Sequence, residues 1–252
     1  MHLVYFLPHP NLEIGYWNCS SFKSETLEGN LKLDFKGVQS CIGYNDGEEH
    51  HPCINDAVNI VQCPYCKYRD ISKVYTRMDL TGFEHLEEQL INRPYALYLA
   101  YFGKDIIKCG VCREERLQSR IMEQGALFYI PLMKFNNAND AYDMENLIQN
   151  TFGVKNSVRN SVKLKSMKEI ELGILEKKFE EIKTTPPFSE YLLKNSNITK
   201  VSYNVPLDFE LSTEKIHGEI LGFYSSFLIY SNNGNNFGID MKRKIGEHFS
   251  KN

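Results

Sequence analysis

The sequence predicts an α+β fold in three consecutive parts, residues 1–80, 81–185 and 186–252. Short runs of alternating apolar and polar residues fill the beginning and the end of the chain, which is typical of strands. The middle instead alternates apolar runs with stretches of helical periodicity. The 252 residues are 42% hydrophobic and 12% aromatic. This composition excludes disordered and collagen-like chains.

The first part is predicted to be β-rich and similar to a zinc ribbon. The runs LVYFL, EIGYW and LKLDFKG predict antiparallel strands, with a turn at Gly29–Asn30. Residues 41–77 show little periodicity and contain four of the seven cysteines. A segment with so small a core needs an additional cross-link, such as a bound metal.

Four cysteines in this part follow the pattern C-x11-C-x9-C-x2-C, and the last pair lies in the turn CPYC. A C-x-x-C turn places two thiolates on one side of a tight loop, which suits two corners of a zinc tetrahedron. The sequence therefore predicts a structural Zn²⁺ held by Cys41, Cys53, Cys63 and Cys66. Two alternatives stay open, namely buried thiols without metal and redox chemistry, although no βαβ unit accompanies the motif. His50 or His51 is a further candidate for one ligand position.

The remaining cysteines are predicted to be structural. Cys109 and Cys112 form a second C-x-x-C, but Cys109 alternates with Ile107 and Val111, as expected for a packed strand end. Cys19 receives no role. The odd cysteine count argues against a disulfide framework.

The sequence shows neither the pattern of a secretory signal peptide nor that of a membrane-spanning segment. The apolar N-terminus has no preceding Lys or Arg and contains Pro8 and Pro10, so we interpret it as a first strand. No apolar run approaches the roughly 20 residues that span a bilayer. We therefore expect a cytoplasmic protein without membrane segments.

The middle part predicts the order strand, strand, helix, strand, helix. YALYLAYFG and IIKCGV form a hairpin across Gly103–Asp105, and a helix from Arg113 to Glu123 ends at Gly125. ALFYIPLMKF is the third strand, and Asn139–Asp140 is the predicted cap of the helix DAYDMENLIQNTF. Further helices are predicted over Phe83–Leu90 and in MKEIELGILEKKFEEIK.

The stretch YLAYFGKDIIKCGVCREERLQSRIMEQGA with the later DAYDMENLI, within residues 94–153, resembles the GIY-YIG nuclease superfamily. The resemblance implies a small antiparallel sheet with flanking helices. It also implies that Glu145 holds a divalent metal such as Mg²⁺ or Mn²⁺, that Tyr98 assists the nucleophile, and that Arg116 or Arg120 stabilises phosphate charge. Lys108 occupies the position of the second motif's tyrosine. Whether such a domain cleaves or only binds is left open.

A wider resemblance covers nearly the whole chain. The cysteine cluster, the triplet QGA at residues 124–126 and the terminal LGFYSSFLIYSNN look like the family known as domain of unknown function 2797. This resemblance implies a fold and no specific activity.

A basic stretch follows the predicted Glu145 helix and contains no acidic residue. Since the net charge is only −3, any surface for nucleic acid must be local. The candidate phosphate-binding residues are Lys155, Arg159, Lys163, Lys165 and Lys168. An ordinary solvated surface is the alternative.

The leading hypothesis is a zinc-containing nucleic-acid-binding protein, with DNA and RNA both open. The first alternative is a divalent-metal-dependent endonuclease that hydrolyses phosphodiesters, and the second is a protein-interaction module in which zinc is only structural. The oligomeric state is not indicated by the sequence.

Overall fold

The computed structural model of the chain describes residues 1–77 and 79–251, which form two compact units. One unit comprises Met1–Leu86 together with the chain from Tyr203 onward. The other comprises Glu87–Ser202.

The described residues contain fifteen strands, most of them short. In chain order they are β1 His2–Leu7, β2 Glu13–Asn18, β3 Ser21–Thr26, β4 Asn30–Gln39, β5 Tyr44–Asn45, β6 His50–His51, β7 Tyr95–Tyr101, β8 Ile107–Arg113, β9 Phe128–Phe135, β10 Thr199–Lys200, β11 Glu210–Ser212, β12 Lys215–Tyr224, β13 Phe227–Asn232, β14 Asn235–Asp240 and β15 Glu247–Lys251.

Nine α-helices lie within the same described ranges, and none of them is both long and apolar enough to cross a lipid bilayer. They are α1 Pro64–Arg69, α2 Ser72–Arg77, α3 Glu87–Ile91, α4 Leu117–Gln124, α5 Ala138–Phe152, α6 Asn160–Ser166, α7 Leu172–Thr184, α8 Phe188–Tyr191 and α9 Met241–Lys244.

The first unit is built on a nine-stranded sheet of order β11-β14-β13-β12-β4-β15-β1-β2-β3. Neighbouring strands are antiparallel except for the parallel pair of β11 and β14. Along β4, Leu31, Leu33 and Phe35 are buried while Lys32 is exposed, because successive side chains of a strand point to opposite faces. These residues join Leu228 and other apolar side chains in one core.

The nine-stranded sheet combines strands from the first and the last of the three parts that the sequence suggests. Strand β4 pairs with β12 on one side and with β15 on the other. Apolar alternation assigns a buried face to each strand but not its neighbour in the sheet, so the pairing is not visible in the sequence.

The second unit contains a four-stranded antiparallel sheet of order β10-β9-β7-β8. Its central strand β7 is buried along its whole length. Leu97 and Leu99 belong to a core that includes residues of α5, α7 and α8. Tyr98 and Phe102 belong to a second core that receives Ile121 of α4. The predicted order of strand, strand, helix, strand, helix is confirmed.

Several element ends differ from the sequence prediction, among them the predicted helix from Arg113, which begins as a 3₁₀ turn at Glu114–Arg116 and continues as α4. The cap of α5 is Asn137, whose side chain accepts a hydrogen bond from the Asp140 backbone N–H at 2.8 Å, so the predicted cap at Asn139–Asp140 is wrong. The helix predicted over Phe83–Leu90 is a 3₁₀ turn, Glu84–Leu86, followed by α3. The predicted stop of α4 at Gly125 is confirmed, since that glycine has a left-handed φ of 75°.

Candidate metal centre and central cluster

The four cysteines predicted as zinc ligands lie together in the first unit. The four sulfur atoms are all within 4.8 Å of one another, and the Cys53 and Cys63 sulfurs are 3.7 Å apart. A tetrahedron with metal–sulfur bonds of about 2.3 Å has sulfur–sulfur edges of about 3.8 Å. The sulfur positions therefore fit Zn²⁺ with little rearrangement.

Backbone contacts position these cysteines. Cys41 comes shortly after β4, and its N–H donates to the Ala57 carbonyl at 2.8 Å. Cys63 is the cap residue of α1, Pro64 occupies the first turn, and Cys66 lies fully buried one turn along. The Cys63 backbone N–H donates to the Cys41 sulfur at 3.2 Å, which joins the two halves of the cluster.

Gly43 makes the turn after Cys41 possible. Its φ of +78° is in the left-handed region, and an added Cβ would lie 1.9 Å from the His51 carbonyl oxygen. The Gly43 backbone also acts to lower the pKa of the Cys41 thiol, against the larger effect of burial. Donors aimed at a sulfur stabilise a thiolate, the form that binds a metal.

The thiols differ in their environments. A hydrogen bond from the Cys66 backbone is the largest of the effects that lower the pKa of the Cys63 thiol to about 6. Burial raises the pKa of the Cys41 and Cys66 thiols. A divalent cation supplies the positive charge that buried thiolates need, and it deprotonates its thiol ligands. The donor set therefore fits a structural zinc site of four sulfurs.

Neither histidine beside Cys53 joins this cluster, so the metal-ligand group within the described ranges consists of the four cysteines. His50 hydrogen-bonds the Asn45 side chain at 3.1 Å and stacks on Phe22 with a centroid distance of 4.1 Å. The His51 Nε2 atom lies 2.7 Å from a carboxylate oxygen of Asp46.

The other cysteines are separate from the cluster. Cys109 is fully buried in the core of the second unit, and Cys112 packs against its other core, as predicted. Cys19 is exposed.

Tyr98, a predicted catalytic residue, is completely buried. Its hydroxyl accepts a 2.6 Å hydrogen bond from the Gln124 side-chain amide. Its cross-strand partner is Gly110, where an added Cβ would lie 2.7 Å from the Tyr98 ring, so glycine leaves the room that this ring occupies. Burial is the main reason why the pKa of Tyr98 is raised.

Lys108 and Glu145 lie within electrostatic reach of each other. Burial lowers the pKa of Lys108, the Arg120 charge lowers it further, and Glu145 partly opposes both effects. Burial raises the pKa of Glu145, and Lys108 opposes that rise. Lys108 lies opposite Ala100 rather than opposite Tyr98. The carboxylate and the amine therefore share a partly buried site.

The two predicted arginines share one carboxylate on the surface. Arg116 lies 2.7 Å and Arg120 lies 3.5 Å from the oxygens of Glu123. Their side chains are 44% and 45% exposed, so both can also contact a ligand in solution. The charge of Arg120 lowers the pKa of Tyr98, against the larger effect of burial.

Four of the five predicted phosphate-binding residues are exposed, and these are Lys155, Arg159, Lys165 and Lys168. The fifth, Lys163, is only 8% exposed. Its amine donates to Asn160 at 3.2 Å and lies 5.5 Å from the centre of the Phe102 ring. Lys163 is thus a packed side chain and not part of an exposed basic surface. The aliphatic part of a lysine side chain can pack against apolar groups. A prediction based only on the number of basic residues in the segment does not take this packing into account.

The basic segment begins against the edge strand of the sheet. The Lys155 backbone N–H donates to Ile107 at 3.2 Å, and its carbonyl accepts from Cys109 at 3.1 Å. A second basic group near the C-terminus is engaged in ion pairs, with Lys244 2.9 Å from Glu247 and Arg243 3.6 Å from Asp240.

Sequence reasoning missed the contributions of Gln124 and Gly43. Gln124 belongs to the QGA triplet, but its partner Tyr98 is 26 residues away, so no local pattern pairs them. Gly43 follows Cys41 by two residues. A glycine this close to a predicted ligand cysteine was the feature of the sequence that could have indicated the tight turn.

Comparison with known proteins gave one match. No curated protein and no solved structure matched the chain. A family model described as "Protein of unknown function (DUF2797)" matches residues 29–246, which include the cysteine cluster and the whole second unit. The chain therefore belongs to the DUF2797 family.

Proposed function

We propose that this protein is a zinc-containing nucleic-acid-binding protein. The four-cysteine cluster holds a structural Zn²⁺, and the second unit contacts the phosphate backbone through the exposed cations between residues 155 and 168. The observation that carries the proposal is the exposure of Lys155, Arg159, Lys165 and Lys168 in a segment without acidic residues.

A structural role for the zinc is supported by the closed set of ligands. Four sulfurs complete a tetrahedron and leave no position for water or substrate. Cys41, Cys63 and Cys66 are buried, whereas a catalytic metal must be reached by its substrate. The zinc would then stabilise the loop from residue 41 to residue 69, which has a small apolar core of its own.

Binding without cleavage is supported by the state of Tyr98. In a GIY-YIG-like domain this residue would assist the attack on phosphorus, yet its hydroxyl is buried and bonded to Gln124. A group that assists must lie within hydrogen-bond reach of the reacting atoms. The order of elements from β7 to α5 favours descent from such a domain, while the burial of Tyr98 favours a binding-only member.

The experiment is a salt titration of binding to labelled single-stranded RNA, single-stranded DNA and duplex DNA, followed by fluorescence anisotropy. Affinity should fall steeply as salt rises, because phosphate contacts release counterions. Lys165→Glu should weaken binding on every sequence and reduce the salt slope by about 1. Lys177→Glu is the matched control, since Lys177 is an exposed lysine of α7 outside the basic segment.

A second candidate, a metal-dependent endonuclease, is favoured by the proximity of Glu145 to Lys108 in the second unit. A carboxylate can hold Mg²⁺ or Mn²⁺, and cations stabilise the charge that develops on phosphate. Cleavage that requires either metal and disappears in Glu145→Gln would establish this candidate. Neither cleavage nor salt-dependent binding would leave a protein-interaction module with structural zinc.

A further inference from the structure

A cavity of about 460 Å³ opens in the first unit, beside the cysteine cluster. Four aromatic side chains line it, namely Tyr5, Tyr44, His50 and Tyr75. The carboxylate of Asp70 lies on the same wall. The volume falls within the range of pockets that bind small molecules.

Asp70 is a buried carboxylate with neutral partners. It is 8% exposed and accepts hydrogen bonds from the Asn45 N–H at 3.2 Å, the Gln62 amide at 2.8 Å and the Ser72 N–H at 2.9 Å. Within residues 1–77 and 79–251, no described Lys, Arg or His forms an ion pair with Asp70. Three donors leave one of its roughly four acceptor positions open.

His50 does not neutralise this carboxylate at neutral pH. Burial lowers the pKa of His50, and the charge of Asp70 only partly opposes that effect. A buried carboxylate whose hydrogen-bond donors are all neutral would gain further stabilisation from a ligand that supplies a positive charge.

The surroundings also select a cation. The faces of tyrosine rings attract ammonium and guanidinium groups. The turn between β5 and β6 contributes Gly47 to the cavity wall, and its neighbours Asp46, Glu48 and Glu49 are exposed acids. These charges would repel a phosphate and attract a positively charged ligand.

We propose that this cavity binds an organic cation, a guanidinium or ammonium group that pairs with Asp70 and lies against the tyrosine rings. The planar fork of a guanidinium suits a carboxylate especially well. The cavity is lined by residues of the first unit and the proposed phosphate contacts belong to the second, so the two proposals rest on different residues and are tested independently.

The test is isothermal titration calorimetry on the zinc-loaded full chain with three probes. N-acetylarginine amide carries a guanidinium on a peptide-like group, propylguanidine carries it as a free small molecule with the same single charge, and N-acetylcitrulline amide is the neutral isostere. Both cationic probes should bind at least about tenfold more tightly than the citrulline probe. Tighter binding of the peptide-like probe would indicate a guanidinium carried by a protein chain, and tighter binding of the small probe would indicate a free small-molecule ligand. Equal binding of the arginine and citrulline probes, or no binding of either cation at millimolar concentration, overturns the proposal.

Variants of the cavity wall complete the test. Asp70→Asn should weaken binding of the cationic probe at least about tenfold, whereas Glu28→Gln, which neutralises an exposed acid that does not line the cavity, should change it less than about twofold. If Asp70→Asn loses its zinc or fails to fold, Tyr75→Ala serves as the second test of the cavity. Tyr75 is 49% exposed, so its truncation should leave the fold intact. That variant should weaken binding severalfold through loss of a ring face. Unchanged binding in a folded variant contradicts the site.

Discussion

The side-chain amide of Gln124 donates a 2.6 Å hydrogen bond to the hydroxyl of Tyr98 inside the second unit. Tyr98 is fully buried on β7, and Gln124 is 8% exposed at the end of α4. The carbonyl oxygen of the same amide is buried without a hydrogen-bond partner in the described structure. The contact thus connects a central strand to a helix, and its loss would leave the whole amide unpaired.

Tyr98→Phe should lower the free energy of unfolding by about 1–3 kcal/mol, because it removes one partner of a buried hydrogen bond and leaves the Gln124 amide unsatisfied. Urea denaturation gives this value directly. Affinity for nucleic acid should remain within about twofold of the wild type, since a buried hydroxyl does not touch a ligand.

The double variant Tyr98→Phe with Gln124→Leu is the matched control, because it removes both partners and should be more stable than Tyr98→Phe alone. A Tyr98→Phe protein with wild-type stability but no cleavage or binding activity would instead assign the hydroxyl a direct functional role.

The cysteine cluster predicts one equivalent of zinc in protein purified without chelator. Cys66→Ser should lose most of this zinc and melt at a lower temperature, because binding of a structural metal contributes to folding free energy. Elemental analysis and thermal denaturation measure the two effects.

Cys112→Ser is the control for this experiment, since Cys112 lies outside the four-sulfur group. Its zinc content should equal that of the wild type. Wild-type protein with less than a tenth of an equivalent of zinc would contradict the assignment of the metal, and zinc loss in Cys112→Ser would contradict the set of ligands.

Local patterns account for what the sequence predicted well. The cysteine spacing and the order of elements from β7 to α5 depend on residues near one another in the chain, where turn chemistry and periodicity act. Strand β4 pairs with β12 residues more than 180 positions away in the chain and with β15 residues more than 200 positions away. Apolar alternation does not encode such distant pairing. The same limit hid the contact of Gln124 with Tyr98.

The basic segment shows a second limit of sequence reasoning. Lys163 and Lys165 are both lysines of the same basic segment, yet the Lys163 side chain packs against Phe102 while Lys165 is exposed. Which of two neighbouring lysines is buried depends on the rotation of α6 against its sheet. A count of charges along the chain cannot distinguish them.

Lys163→Glu should therefore act on stability and Lys165→Glu on binding. Reversing the buried charge should lower the free energy of unfolding by about 2 kcal/mol or more, because the new carboxylate is buried and cannot donate the hydrogen bond that Lys163 gives to Asn160. Lys165→Glu should change stability by less than about 0.5 kcal/mol. Urea denaturation of both variants, with Lys163→Met to retain the aliphatic stem, separates charge from packing. Equal and small effects of the two reversals would contradict the burial of Lys163.

Glu145 gives a pH-dependent prediction. Burial raises its pKa above the ordinary value of 4.5, with Lys108 and a hydrogen bond to Gln149 acting in the opposite direction. The folded protein thus binds this proton more tightly than the unfolded chain does. The contribution of Glu145 to stability is fully present below about pH 4.5 and is lost as the pH rises through its folded-state pKa.

Glu145→Gln removes this titration, so the stability of the variant relative to the wild type should increase as the pH rises from about 4 to about 7. Urea denaturation at several pH values measures the difference. A flat difference for Glu145→Gln would mean that Lys108 compensates the burial of the carboxylate completely, and a falling one would mean that the pair stabilises the charged form.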